Sequence, residues 1–206
     1  MQLSHQGTKI LITGASGTGK SSYWTKLIIG YPAKTKFVFD HEGELQHRLG
    51  IRPARSVTDL ANATVTGWCV FDPEAMFGSD LERAFTYFSE FAFRACERLR
   101  GTKLFACDEM QAFIDTNKLQ NELRDVLQRG RRRGLDSVMV SQAPNELHNK
   151  LRQQITEAVS FAQAEDRAIE WLRAFGFNEA DLRALPPGHF IARKRGSLNQ
   201  TKGKVF

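Results

Sequence analysis

No stretch of this 206-residue chain comes near the run of about 20 apolar residues that a membrane-crossing helix needs. Its opening, Met1-Gln-Leu-Ser-His-Gln-Gly7, has no apolar core of the kind a secretory signal carries. Those two absences predict a cytoplasmic protein without an integral membrane segment. Cysteine is also scarce. Cys69, Cys96 and Cys107 each lie in an apolar stretch and show no paired metal-ligand spacing, so they read as reduced core thiols and argue against a zinc site. No internal repeat and no low-complexity linker divides the chain. One α/β domain over 1–206 is therefore predicted, ending in a basic C-terminal tail over about 192–206.

What the chain does have begins with a composition of 41% hydrophobic and 25% charged residues with 15 Phe, which suits a packed core and excludes disorder. Its most informative stretch is Gly14-Ala-Ser-Gly-Thr-Gly-Lys20-Ser21, which fits the G-x-x-x-x-G-K-[ST] phosphate loop. The apolar run Lys9-Ile-Leu-Ile-Thr13 reads as a strand entering it, and Ser22 to Ile29 as a helix leaving it. Glycines let successive N–H groups turn inward toward phosphate oxygens, and the helix adds its positive end. Gly14, Ala15, Ser16, Gly17, Thr18, Gly19, Lys20, Ser21 and Ser22 are the candidate nucleotide-binding residues. Lys20 is expected to reach the β- and γ-phosphates and Ser21 to place its hydroxyl on Mg²⁺.

Further strands are predicted at Lys36–Asp40, Trp68–Asp72, Lys103–Cys107 and Ser137–Gln142, with another within 155–163 and one at Phe190–Ala192. The clearest helix follows a capping box at Ser79-Asp-Leu-Glu82 and repeats its apolar residues from Leu81 to Leu99. Others are expected from about Asn117 to Arg129, over 165–175 and over 178–185, while His41 to Glu44 reads as a polar corner and 51–60 resists assignment. This alternation predicts a mainly parallel central sheet with helices on both faces.

In such a sheet ligands bind at the carboxyl ends of the strands, which puts Asp108-Glu109 and Gln142 beside the phosphate loop. Asp108 is a candidate Mg²⁺ ligand. Glu109 is placed to take a proton from attacking water, and Gln142 to orient that water or sense the γ-phosphate, although a strand-end amide can equally satisfy a nearby backbone group. The formal net charge of +6 favours a polyanionic partner. Arg129, Arg131, Arg132 and Arg133 stand at a helix C-terminus, where positive charge is favourable locally. Arg193, Lys194, Arg195, Lys202 and Lys204 form the second basic group.

Together these residues give a resemblance. The phosphate loop, Phe37-Val-Phe-Asp-His-Glu-Gly-Glu44, Cys107-Asp-Glu109 and above all Gly130-Arg-Arg-Arg-Gly-Leu-Asp-Ser-Val-Met-Val-Ser-Gln-Ala-Pro144 make the chain resemble the FtsK-HerA superfamily, in particular its small viral genome-packaging ATPases. The resemblance implies a P-loop NTPase of RecA/FtsK-like fold that hydrolyses ATP with Mg²⁺ as a homo-oligomeric, hexameric ring on double-stranded DNA. It implies capsid or portal proteins as recruiting partners and a place in host cytoplasm or virion. By the same resemblance Arg131 acts in trans on a neighbour's γ-phosphate and Gln142 is the strand-end glutamine, with Ser141 where threonine is commoner. Lys150, Arg152, Arg193, Lys194 and Arg195 are candidate DNA contacts. Three alternatives stay open: a phage assembly ATPase resembling zonula occludens toxin, a P-loop nucleotide or small-molecule kinase, and a nucleotide-gated assembly protein.

Overall fold

The computed structural model describes residues 7–114 and 119–206. In chain order the elements are β1 (Lys9–Thr13), α1 (Lys20–Gly30), β2 (Thr35–Phe39), α2 (Glu44–Leu49), α3 (Val57–Thr66), β3 (Trp68–Phe71), α4 (Glu74–Phe77) and α5 (Leu81–Ala95). There follow β4 (Lys103–Cys107), α6 (Asn121–Arg124), β5 (Leu135–Ser141), α7 (Asn149–Gln154), β6 (Glu157–Ser160), α8 (Asp166–Arg173), α9 (Glu179–Ala184), β7 (His189–Lys194) and β8 (Gln200–Lys204). The strands form one eight-stranded sheet in the order β3-β2-β4-β5-β1-β6-β7-β8. Pairing is parallel from β3 through β6, and β7 and β8 close one side as an antiparallel hairpin.

Strand alternation sorts the apolar residues onto two faces. On one, Phe37, Phe39, Phe71 and Phe105 meet Phe85 and Phe88 of α5, with the Phe71 and Phe88 rings stacked at 5.0 Å. On the other, Ile10, Ile12, Val38, Val138 and Val140 meet Trp24 and Ile28 of α1. Most of the phenylalanine thus serves one face, with Phe161 and Phe190 on the other, and the predicted two-sided α/β sheet is what forms. Among the described residues no helix is long and apolar enough to cross a membrane.

Several local expectations shift. Helix α5 is capped by Asp80, whose Oδ1 accepts the Arg83 N–H at 3.1 Å, rather than by Ser79. The helix expected from about Asn117 starts at Asn121, Asn117 itself lying outside the described residues. It widens into a π turn over Asp125–Arg129 and tightens to 3₁₀ over Gly130–Arg133, an arrangement that buries both Val126 and Leu127. The polar corner is α2, started by Asp40, which accepts the Leu45 and Gln46 N–H groups at 3.0 and 3.3 Å. The basic segment expected as a tail is mostly hairpin: its Gln200–Lys204 strand pairs along β7 and turns back beside the phosphate loop.

Candidate active site

The site is built at the carboxyl ends of β4, β5 and β1, which are neighbours in the sheet in that order. From β1 the chain turns through Gly14, whose φ is +153°; a Cβ there would fall 2.6 Å from Phe161 Cβ. Gly19 is left-handed at φ +107° and launches α1, so the helix opens without a side-chain cap and its first N–H groups face the loop. Ala15 N–H donates to Ala162 C=O at 2.8 Å, tying the loop to the end of β6. Lys20 is buried, and its Nζ donates to Ala15 C=O at 2.8 Å, where the Thr18 hydroxyl also donates at 2.7 Å. Burial lowers the Lys20 pKa, and the charges of Asp108 and Glu109 oppose that shift. The ammonium is therefore folded back on its own loop, at the distance a hydrogen bond to an arriving phosphate would replace. Ser21 and Ser22 begin α1 half-buried, with Ser21 C=O accepting from Thr25 Oγ1 at 2.8 Å.

Asp108, 8% exposed, leaves β4 with its Oδ1 accepting the Glu109 N–H at 2.8 Å. Burial pushes its carboxyl up to about 7; the Glu109 N–H pulls the other way, while the charges of Glu44, Glu109 and Glu42 add to the rise. Among the described residues no cationic side chain forms an ion pair with it. A buried carboxylate amid like charges suits a divalent cation. Among the described residues no group of three or more His, Cys, Asp or Glu could hold a metal ion. Ser21 and Asp108, the two expected Mg²⁺ ligands, stand at the same end of the sheet, one in the first turn of α1 and the other directly after β4.

Glu109 has φ +46°, the one positive value at a non-glycine among the described residues. Such a backbone costs about 1–3 kcal/mol and persists where its surroundings enforce it. Its Oε1 accepts a hydrogen bond from Gln142 Nε2, which joins the ends of β4 and β5. Sequence reasoning missed the acids contributed by Glu42 and Glu44, and His41, which packs between Phe39 and Phe113. Burial lowers the His41 pKa against the pull of Glu42 and Glu109. Their sequence signals were the Phe37–Glu44 stretch that carries part of the resemblance and their position, directly after a strand that ends beside β4.

The arginines lie elsewhere. Arg131 packs its Cβ and Cγ against Gly7 and its charge depresses the pKa of Lys9, whose own burial is the larger cause. It therefore stands at the amino end of β1, about 17 Å of strand away from its own phosphate loop. Arg133 is tied to Phe93 C=O at 2.6 Å, to Glu97, and over the Phe93 ring at 3.7 Å, and Arg129 pairs with Asp125 at 3.0 Å. Arg131 and Arg132 are exposed and make no ion pair among the described residues. Of the other basic candidates, Arg195 donates to Ile155 and Arg152 carbonyls at 2.8 and 2.6 Å, Arg193 to Gly176, Ser197 and Leu198 carbonyls, and Arg152 lies over Trp171. Lys150 and Lys194 stay exposed.

No protein-family model matches the chain, and no curated protein matches it either. Solved structures do. The genome packaging NTPase B204 of Sulfolobus turreted icosahedral virus 2, in complex with ATP-γ-S, superposes with a TM-score of 0.71 at 18% identity over 96% of this chain and 97% of that one. The chain has the P-loop fold of B204. VirB4 of Thermoanaerobacter pseudethanolicus shares it at a TM-score of 0.69 and 14% identity over 96% and 89% of the two chains. The N-terminal domain of zonular occludens toxin from Neisseria meningitidis reaches 0.50 at 13% identity over 96% and 93%. On this fold, Lys20, Asp108, Glu109 and Gln142 converge on one end of the sheet, and Arg131 stands at the other.

Proposed function

We propose that this protein is an ATP-hydrolysing ring motor, hexameric by family resemblance, that moves double-stranded DNA in viral genome packaging. The observation that carries the reading is that Lys20, Asp108, Glu109 and Gln142 meet at the carboxyl ends of β1, β4 and β5 while Arg131, exposed and without an ion pair among the described residues, stands at the amino end of β1. B204 structures with ATP-γ-S, AMPPCP, AMP and sulfate support nucleotide binding on this fold.

In this reading the N–H groups of Gly14 to Ser21 cradle the phosphates and Lys20 moves from Ala15 C=O to the β- and γ-phosphates. Ser21 and Asp108 would hold Mg²⁺, which would supply positive charge against the phosphates. Gln142 fixes one oxygen of Glu109, so the other is left to accept a proton from water aimed at the γ-phosphorus. A base for water fits a hydrolase; a kinase has to keep water from the γ-phosphate. Arg131 completes a neighbour's site, because it cannot reach its own. Lys150 and Lys194 are the basic candidates still free to meet DNA phosphates. Capsid or portal proteins would recruit the ring.

The likeness to the zonular occludens toxin domain supports a second reading, a phage assembly ATPase. The test is the ATPase rate against protein concentration, with and without duplex DNA, at two salt concentrations. The motor predicts a steep rise with concentration and stimulation by DNA that fades with salt. Concentration-dependent turnover indifferent to DNA favours the assembly reading, and phosphate transfer to a small acceptor favours the kinase.

A further inference from the structure

We infer that Phe206 is the platform on which the base of the bound nucleotide stacks. The inference rests on the nucleotide-binding reading of Gly14–Ser21 and adds to it the place and the partner of the nucleoside end.

Five large apolar side chains are exposed among the described residues: Ile29, Val57, Val65, Leu198 and Phe206. Phe206 is the aromatic one, 64% exposed, and it lies against the phosphate loop. A Cβ on Gly19 would come 3.4 Å from Phe206 Cε1 and 3.4 Å from Gly188 Cα; one on Gly188 would meet Phe206 Cε2 at 2.7 Å. Two bare glycines thus let the ring settle across the loop margin. Its backbone is anchored there. Gly188 N–H donates to Thr18 C=O at 2.9 Å, Val205 N–H to Gly188 C=O at 2.9 Å, and Lys26 Nζ to Val205 C=O at 2.5 Å. Val205 is buried in the α1-side core.

Sheet order sets the direction of the ligand. The groups suited to the γ-phosphate, Asp108, Glu109 and Gln142, lie on the β4–β5 side of β1. A triphosphate with its γ end there points its nucleoside toward the opposite side, that of β6 and β7, where Phe161, Gly188 and Phe206 surround Gly19. An apolar ring left open to water at that margin gains by being covered with a flat aromatic base. Base–aromatic stacking corresponds to about 5- to 100-fold in affinity.

The test measures dissociation constants of the full chain for ATP and for inorganic tripolyphosphate, each with Mg²⁺, in the wild type, Phe206→Ala and Phe206→Trp. Phe206→Ala is expected to weaken ATP by about 5- to 100-fold and leave tripolyphosphate within about twofold. Phe206→Trp is expected to hold ATP as the wild type does and to add a fluorescence component that ATP quenches and tripolyphosphate does not. Equal losses for both ligands, or no loss for ATP, would overturn the platform while leaving the phosphate loop intact. Failure of the wild type to bind either ligand would overturn the nucleotide reading and the platform with it.

Discussion

Asp108 is held in the protein under conditions that favour its proton: burial, with Glu44, Glu109 and Glu42 near it, pushes its carboxyl up to about 7, far above the value of about 3.9 expected in an unfolded chain. Between those values the folded state binds more protons than the unfolded state, so the slope of unfolding free energy with pH is negative. Nucleotide-free protein is therefore expected to lose stability as pH rises from about 4 to 7, by an amount on the order of a few kcal/mol from this residue. Asp108→Asn should flatten that slope; urea midpoints of both proteins at pH 5 and pH 7.5 measure it. Glu109 makes a different prediction. Glu109→Gln keeps the shape that meets Gln142 but removes the proton acceptor, so ATP affinity should hold while turnover drops by about 10²- to 10⁴-fold. Comparing equilibrium ATP binding with steady-state phosphate release separates the two, and loss of binding would place Glu109 in nucleotide capture instead.

At the scale of elements, the strands that carry the site were readable because each is a short apolar run ending in a polar residue that the parallel topology presents to one ligand. Lys9–Thr13, Lys103–Cys107 and the run to Gln142 all satisfy that pattern, which is why Asp108, Glu109 and Gln142 could be placed before any coordinates. What was not readable depends on partners distant in sequence. Helix α2 buries only Leu45 and takes its cap from the end of β2, so its six residues carry no period of their own. Strand β8, Gln-Thr-Lys-Gly-Lys, pairs on one side only, and its polar sequence suits an exposed edge yet looks like a tail. Phe206 gains its setting beside Gly188 and Gly19, both distant from it in sequence. The hairpin also reassigns basic residues: Arg195 spends its guanidinium on the Ile155 and Arg152 carbonyls. Arg195→Ala is expected to destabilise the fold by about 1–3 kcal/mol, since two carbonyls lose a charged donor. Lys194→Ala, at an exposed side chain, should leave the denaturation midpoint nearly unchanged and lower DNA affinity uniformly across sequences. Urea melts beside DNA titrations on two unrelated duplexes distinguish the two roles.

At the scale of the whole molecule, the sheet is a spacer. Five residues of β1 separate the phosphate loop from Arg131, and β5 runs in register beside it from the arginine end to Gln142. One protomer thus carries the proposed nucleotide site at one end and a cation at the other, the pattern that a head-to-tail interface would join and a ring would close. Arg133 and Arg129 are occupied by Glu97, Phe93 and Asp125, which leaves Arg131 and Arg132 as the candidates to cross the proposed subunit boundary. A trans arginine contributes about 10³ to 10⁵ in rate. Lys20→Ala and Arg131→Ala should each abolish turnover alone, the first by losing the phosphates and the second by losing the charge supplied next door. Mixed in equal amounts before assembly, the two should regain activity, because an Arg131→Ala subunit keeps a sound phosphate loop and a Lys20→Ala neighbour keeps a sound arginine. With random order in the ring, about a quarter of the interfaces combine both, and turnover should recover toward that fraction if interfaces fire independently. Phosphate release from the mixture, with ring assembly checked by light scattering, measures it. Intact rings without recovery would remove Arg131 from the shared site, and the same mixing with Arg132→Ala would then show whether its neighbour supplies the charge.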